Sequence, residues 1–242
     1  MHARKGIGRR AALSAGLGLL AACAPVPRPR ESRPQGDQAR PGGVRPGAFD
    51  AELLAAAEAG EAAAVATLLA QGADVEARDD EGRSPLMLAA LGDRVEVARA
   101  LVDANADPDA PDDLGDTPWV TCGVTGSVAM MRVLLPTGPD LAIPNRRGGS
   151  PLHPAAERGH VDYVREVLAA TDIATEIDRV NFNGWTALLE AVALGDGDEP
   201  HQEIVAELLG AGADAGIADR NGRTALQHAR ERGYQVIEDL LS

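Results

Sequence analysis

Four histidines beyond His2, namely His153, His160, His201 and His228, are the residues best suited to acid–base chemistry in this chain. Asp196, Asp198 and Glu199 are the candidate oxygen ligands for a cation. Their spacing argues against each use. A calcium ion takes roughly six or more oxygens, and the spacing of an EF-hand loop is missing around residues 195–200, so that run reads as a solvated acidic loop. Cys122 occupies a small-residue helix position, which suits a buried structural thiol. No phosphate-cradling glycine loop, nucleophile elbow or paired-carboxylate arrangement stands out. Two cysteines are too few for a disulfide framework or a cysteine zinc site. The expectation is a protein that is not an enzyme and that takes no cofactor and no metal. The rival is a hydrolase-like or metal-dependent site built from His153, His160 or His201 with carboxylates, whose substitution would abolish an activity without lowering Tm. Two other groups are suited to contact rather than catalysis: the neighbouring aromatics Phe182 and Trp185, and the pair Arg146-Arg147, which could seat a carboxylate.

Composition narrows the class further. Of 242 residues 45% are hydrophobic but only 2% aromatic, so any core is made of Ala, Leu and Val. The net charge is −14, and Lys5 is the only lysine. An acidic chain of this kind lacks the basic face that phosphate binding needs, so no nucleic-acid partner is expected.

Residues 1–22 have the plan of an export signal. Arg4, Lys5, Arg9 and Arg10 precede an apolar run from Ala11 to Ala22 that is too short to span a bilayer. Leu20-Ala21-Ala22-Cys23 resembles the lipobox of bacterial lipoproteins. That resemblance implies a mature chain that starts at Cys23 and a membrane attachment through acyl chains on the Cys23 sulfur. Arg9-Arg10 also resembles a twin-arginine signal, with Ala12 where that motif usually has phenylalanine, so the Sec and twin-arginine routes both stay open. The implied location is the cell envelope, lipid-anchored on the periplasmic side or the outer surface, with inner and outer membrane both open. Residues 23–48 are dense in Pro, Gly and Arg without apolar periodicity and read as a disordered tether. The leader carries +4 and the tether +3, which leaves residues 48–242 at −21.

The remainder repeats itself. Gly82, Gly115, Gly148, Gly184 and Gly222 are spaced 33, 33, 36 and 38 apart. Three residues before each stands Asp79, Asp112, Asn145, Asn181 or Asp219, the residue pattern of a type I turn. Two residues after each glycine stands Ser84, Thr117, Ser150, Thr186 or Thr224, a helix cap, with Pro85, Pro118 and Pro151 at the first helical position of three repeats. Short alanine-rich helices follow, as in residues 85–91 and 186–194. A second, amphipathic helix then runs over 95–102, 128–135, 161–168 and 202–209. Gly72, Asn105, Gly138 and Gly212 are placed to end these units in the left-handed conformation.

Ser84-Pro85-Leu86 with Ala89-Ala90, Ser150-Pro151-Leu152-His153-Pro154-Ala155-Ala156, and the endings Gly72-Ala73-Asp74 and Gly212-Ala213-Asp214 resemble the motifs of ankyrin repeats. The resemblance implies an all-α solenoid of about six helix-turn-helix repeats with hairpin fingers over residues 49–242. Its units lie near 49–78, 79–111, 112–144, 145–180, 181–218 and 219–242, the first and last being caps. It also assigns His153 and His160 a structural role between repeats. Trp119 at the motif leucine and Pro136 in a second helix point to an irregular third repeat. Extra residues near 173–184 and at 195–200 place partner contacts around repeats four and five.

The implied function is protein–protein interaction through the fingers and the concave face. Matching the motif residue by residue assigns contact to Asp80, Glu81, Arg83, Leu114, Asp116, Arg146, Arg147, Phe182, Asn183, Trp185, Asn221 and Arg223. Trp185 is either half of an exposed aromatic hot spot or a cover for its own hairpin. The charge favours a basic partner, and a monomer is expected. An inhibitor or immunity-type protein, an envelope stress-defence accessory and a purely structural spacer are the other readings.

Overall fold

The computed structural model describes residues 47–242; the leader, Cys23 and all but the end of the tether lie outside the described residues. Six helix pairs follow one another in a stack: α1 Asp50–Ala59 with α2 Ala62–Ala70, α3 Pro85–Leu91 with α4 Val95–Asp103, α5 Pro118–Thr125 with α6 Val128–Leu134, α7 Leu152–Glu157 with α8 Val161–Ala170, α9 Ala187–Ala193 with α10 Glu199–Gly210, and α11 Ala225–Arg232 with α12 Gln235–Leu240. The first helices contact one another in series from α1 to α11, and the second helices do the same from α2 to α12. One continuous core runs between the two rows, through Leu53, Leu86, Leu101, Leu134, Leu152, Leu189 and Ile204. Each repeat hides only part of its apolar surface alone and needs its neighbours for the rest.

Local chemistry forms the hairpins. In all five, the glycine N–H donates to the carbonyl of the Asx residue three positions earlier, and the glycine backbone is left-handed. The Asx side chain closes the turn: Asp79, Asp112, Asn145, Asn181 and Asp219 each accept two backbone N–H groups, two and four residues on. Ser84, Thr117, Thr186 and Thr224 then cap α3, α5, α9 and α11. Ser150 departs from the expected pattern. Its backbone N–H donates to His153 Nδ1 at 3.1 Å, its side chain caps nothing, and α7 begins at Leu152 with Pro151 ahead of it.

The third repeat is irregular where Pro136 demands it. Pro136 has no N–H to donate and crowds the preceding turn, so α6 stops at Leu134 and continues as a 3₁₀ turn over Leu135–Thr137. Trp119 fits the motif-leucine position fully buried, but its indole Nε1 finds no hydrogen-bond partner in the protein, nor does the buried hydroxyl of Tyr163. Tyr163→Phe removes an unsatisfied buried donor at almost constant volume. It is expected to stabilise the domain by about 1 kcal/mol, read as a rise in Tm; a fall would show that the hydroxyl is bonded.

Carboxylates that look like a solvated face in the sequence stitch one repeat to the next. Glu76 accepts from Asp107 N–H, Asp109 from Asp140 N–H and Asp178 from Asp214 N–H, while Asp50 closes the first repeat on itself by accepting from Asp74 N–H. No helix among the described residues is long and apolar enough to cross a membrane.

Candidate functional site

The histidines serve as joints between repeats. Because Ser150 N–H donates to Nδ1 of His153, the ring proton sits on Nε2, where it donates to the Trp185 carbonyl of the next repeat at 3.2 Å. Burial pushes His153 down to about 4 and keeps the ring neutral. His160 reaches back to the Val124 carbonyl and His201 to the Glu157 carbonyl. Arg94 and Tyr234 do the same from equivalent positions, to Glu58 and Gly195. This row of donors from the start of each second helix to the end of the previous first helix breaks at the third repeat, where Ser127 caps its own helix. His228 bonds Asp219, whose carboxyl is held down to about 2 chiefly by the Arg223 backbone N–H, with His228 and the Asn221 N–H adding to it. The supposed metal loop is also structural. Asp198 caps α10 and pairs with His201, and no group of three or more His, Cys, Asp or Glu among the described residues is placed to hold a metal. Cys122 is a buried free thiol raised by burial, which makes it unreactive.

What remains is a surface. Asp80, Glu81, Leu114, Arg146, Arg147, Phe182, Asn183 and Asn221 are exposed at the tips of successive hairpins. Phe182 is 67% and Leu114 61% exposed, the two most exposed large apolar side chains of the described residues. Phe182 lies over the Gly148 turn of the preceding hairpin, and its backbone N–H donates to the Arg147 carbonyl at 2.7 Å. Arg83 is half-buried and paired with Asp79 and Glu81, and Arg223 with Glu231.

Two expectations need correction. Asp116 is only 5% exposed, because its carboxylate accepts both the backbone N–H and the Nε of Arg146 across the repeat boundary. It is therefore a joint rather than a contact residue, and it takes the Arg146 charge with it. Trp185 is half-buried against the core, with its ring 6.2 Å from His228. It covers its own hairpin and the next repeat, leaving Phe182 as the exposed aromatic.

Beneath the hairpins of repeats three to five, the first helices line a groove of about 290 Å³. Thr121 and Val124 of α5, Pro154 and Glu157 of α7, Arg158, and Glu190 of α9 form its wall with Arg146 and Arg147. Glu190 is 3% exposed and accepts from Asn181 Nδ2 at 2.7 Å. Burial, with the Glu157 charge adding to it, raises its carboxyl to about 7. Glu157, Arg158 and Glu190 were absent from the motif-based set. The available signal was position: Thr121, Pro154 and Glu190 all occupy the variable residue before the motif alanines, and Glu190 stands alone among alanines and leucines.

Stacked hairpins, paired antiparallel helices and a groove beneath the fingers define a helical repeat solenoid. The family model for ankyrin repeats in three copies matches residues 53–145 and 126–219, and the chain belongs to the ankyrin-repeat family. It is 39% identical over 191 residues to the ankyrin repeat protein YahD of Escherichia coli (strain K12), a match covering 79% of this chain and 94% of that one. The crystal structure of an ankyrin repeat domain (ABAYE2397) from Acinetobacter baumannii AYE agrees with a TM-score of 0.73 at 44% identity, covering 78% of this chain and 95% of the other. That of EF0377, an ankyrin repeat protein, gives a TM-score of 0.74 at 38% identity, covering 79% and 96%. An ankyrin-repeat domain is typically a non-catalytic protein-interaction module.

Proposed function

We propose that this chain is a non-catalytic module that binds another protein along its finger tips and groove, held at the bacterial cell envelope by acyl chains on Cys23. The observation that carries the binding half is the pair of exposed apolar side chains, Leu114 and Phe182, displayed on rigid hairpins whose own polar groups are satisfied within the domain. A large apolar side chain fixed at a tip, next to the hairpin that carries Arg147, is the chemistry of an interface anchor. The charge of −21 beyond the tether favours a partner whose surface is basic overall and an encounter that slows as salt rises. The lipobox resemblance at residues 20–23 and the polar tether support the envelope half.

Affinity capture from envelope extract with the full-length protein checks the first half. One protein is expected to be enriched, and Phe182→Ala with Leu114→Ala is expected to weaken its binding about tenfold or more without changing Tm. Equal capture by the double variant would overturn the assignment of the finger tips. For the anchor, metabolic labelling with a radiolabelled fatty acid is expected to mark the wild type but not Cys23→Ala, and labelling of both would refute it.

A further inference from the structure

The groove is close to charge balance in a domain that is otherwise strongly acidic, with Arg146, Arg147 and Arg158 set against Asp116, Glu157 and Glu190. Arg146 and Asp116 neutralise each other. The Arg158 guanidinium donates to the Val124 carbonyl, a neutral acceptor that leaves its charge uncompensated. Arg147 is exposed, and among the described residues its guanidinium makes neither a hydrogen bond nor an ion pair. The negative charges facing them are Glu157 and Glu190, and Glu190 is the buried one. In a domain with an acid excess of this size, a lone unbonded guanidinium beside a groove is an exception. Its planar fork of donors matches a carboxylate.

We propose that this groove receives a carboxylate of the partner protein, from an aspartate, a glutamate or a C-terminus, gripped by Arg147 with Arg158 lining the same groove and Phe182 packing beside it, and that Glu190 on the groove wall tightens the grip as pH falls. The proposal rests on the interaction-module reading and supplies its anchor chemistry. The pH dependence follows from what faces Glu190: Asn181 and Arg147 from the hairpins, Glu157 from α7, and, lining the same groove, Arg158, His153 and the Arg146–Asp116 pair. Protonated, Glu190 adds no charge and offers a donor to an incoming carboxylate. Ionised, it repels that carboxylate and competes for Arg147. His153 is pushed down to about 4 and stays neutral from pH 6 to pH 8. The carboxylates of a peptide ligand, with reference values near 4, stay ionised over the same range.

The test is selection of a random peptide display library on the full-length protein at pH 6 and pH 8, with the selected peptides then measured by fluorescence polarisation. Peptides carrying Asp, Glu or a free C-terminus beside an apolar residue are expected to be enriched. They should bind about tenfold more tightly at pH 6 and lose binding on Arg147→Glu, a surface change that leaves Tm unaltered. Glu190→Gln is expected to hold affinity at pH 8 near its pH 6 level. Enrichment only of peptides that lack a carboxylate beside the apolar residue, indifference to Arg147→Glu, or equal affinity at the two pH values would each overturn the proposal. Peptides of other chemistry that depend on Phe182 would leave the interaction-module reading standing while this anchor fell, whereas a library yielding no finger-dependent peptide at all would count against both.

Discussion

Alanine at Gly123 is expected to destabilise the domain by roughly 3 kcal/mol, lowering Tm by roughly 6–12 °C for a chain of this size. Two effects compete. Gly123 lies inside α5, where replacing glycine by alanine ordinarily gains about 1 kcal/mol of helix propensity. A Cβ at this position, however, would lie 2.0 Å from the carbonyl oxygen of Pro151 and under 3 Å from its carbonyl carbon and Cα. These are backbone atoms at the start of the next repeat, so no rotamer change relieves the clash. The first helices of repeats three and four must move apart, and the shared core around Leu152 loses its packing with them. Because each repeat is held chiefly by its neighbours, the weakened boundary is also expected to split one cooperative transition into two, with the segments before α5 and after α7 melting separately. Thermal unfolding followed by circular dichroism checks both points, and a higher Tm would mean that propensity outweighs contact.

Glu190→Gln is expected to act in the opposite direction, with an effect that grows from about pH 5 and levels off above pH 7. The folded-state value of Glu190, about 7, lies above the unfolded value near 4.5. Stability tied to its neutral form is therefore fully present below about 4.5 and lost as pH rises through 7. A shift of that size corresponds to a stabilisation of roughly 3 kcal/mol by the amide at pH 8, shrinking to almost nothing at pH 4.5. The glutamine oxygen still accepts from Asn181 Nδ2, so the hairpin joint survives the change. His153 works the other way: its folded value of about 4 lies below the unfolded 6.5, so stability is present above 6.5 and lost as pH falls toward 4. Urea denaturation of wild type and Glu190→Gln at several pH values is expected to show curves that diverge above pH 5. Parallel curves would show that Glu190 is solvated in the folded state.

What the amino-acid sequence determined by itself is everything governed within about four residues along the chain. The five Asx–Gly turns form where the spacing places them. Four of the five expected Ser or Thr caps form, and Gly72, Asn105, Gly138 and Gly212 all adopt the left-handed backbone. Their partners are close neighbours in sequence, so residue type and spacing are sufficient. The exception is Ser150, whose hydroxyl lies against His153 Nδ1 and caps no backbone N–H, while the far nitrogen of the same ring bonds Trp185 in the next repeat. Stacking decided the rest. Asp116 reads as an exposed finger residue until Arg146, thirty residues on, is brought against it. Trp185 was ambiguous until repeat six covered it. Glu190 became a groove carboxyl only when Glu157 and Arg147 of repeat four were set beside it. Burial and charge at each of these positions come from a neighbour one repeat away, and a one-dimensional pattern records that neighbour's type without recording which atoms it meets.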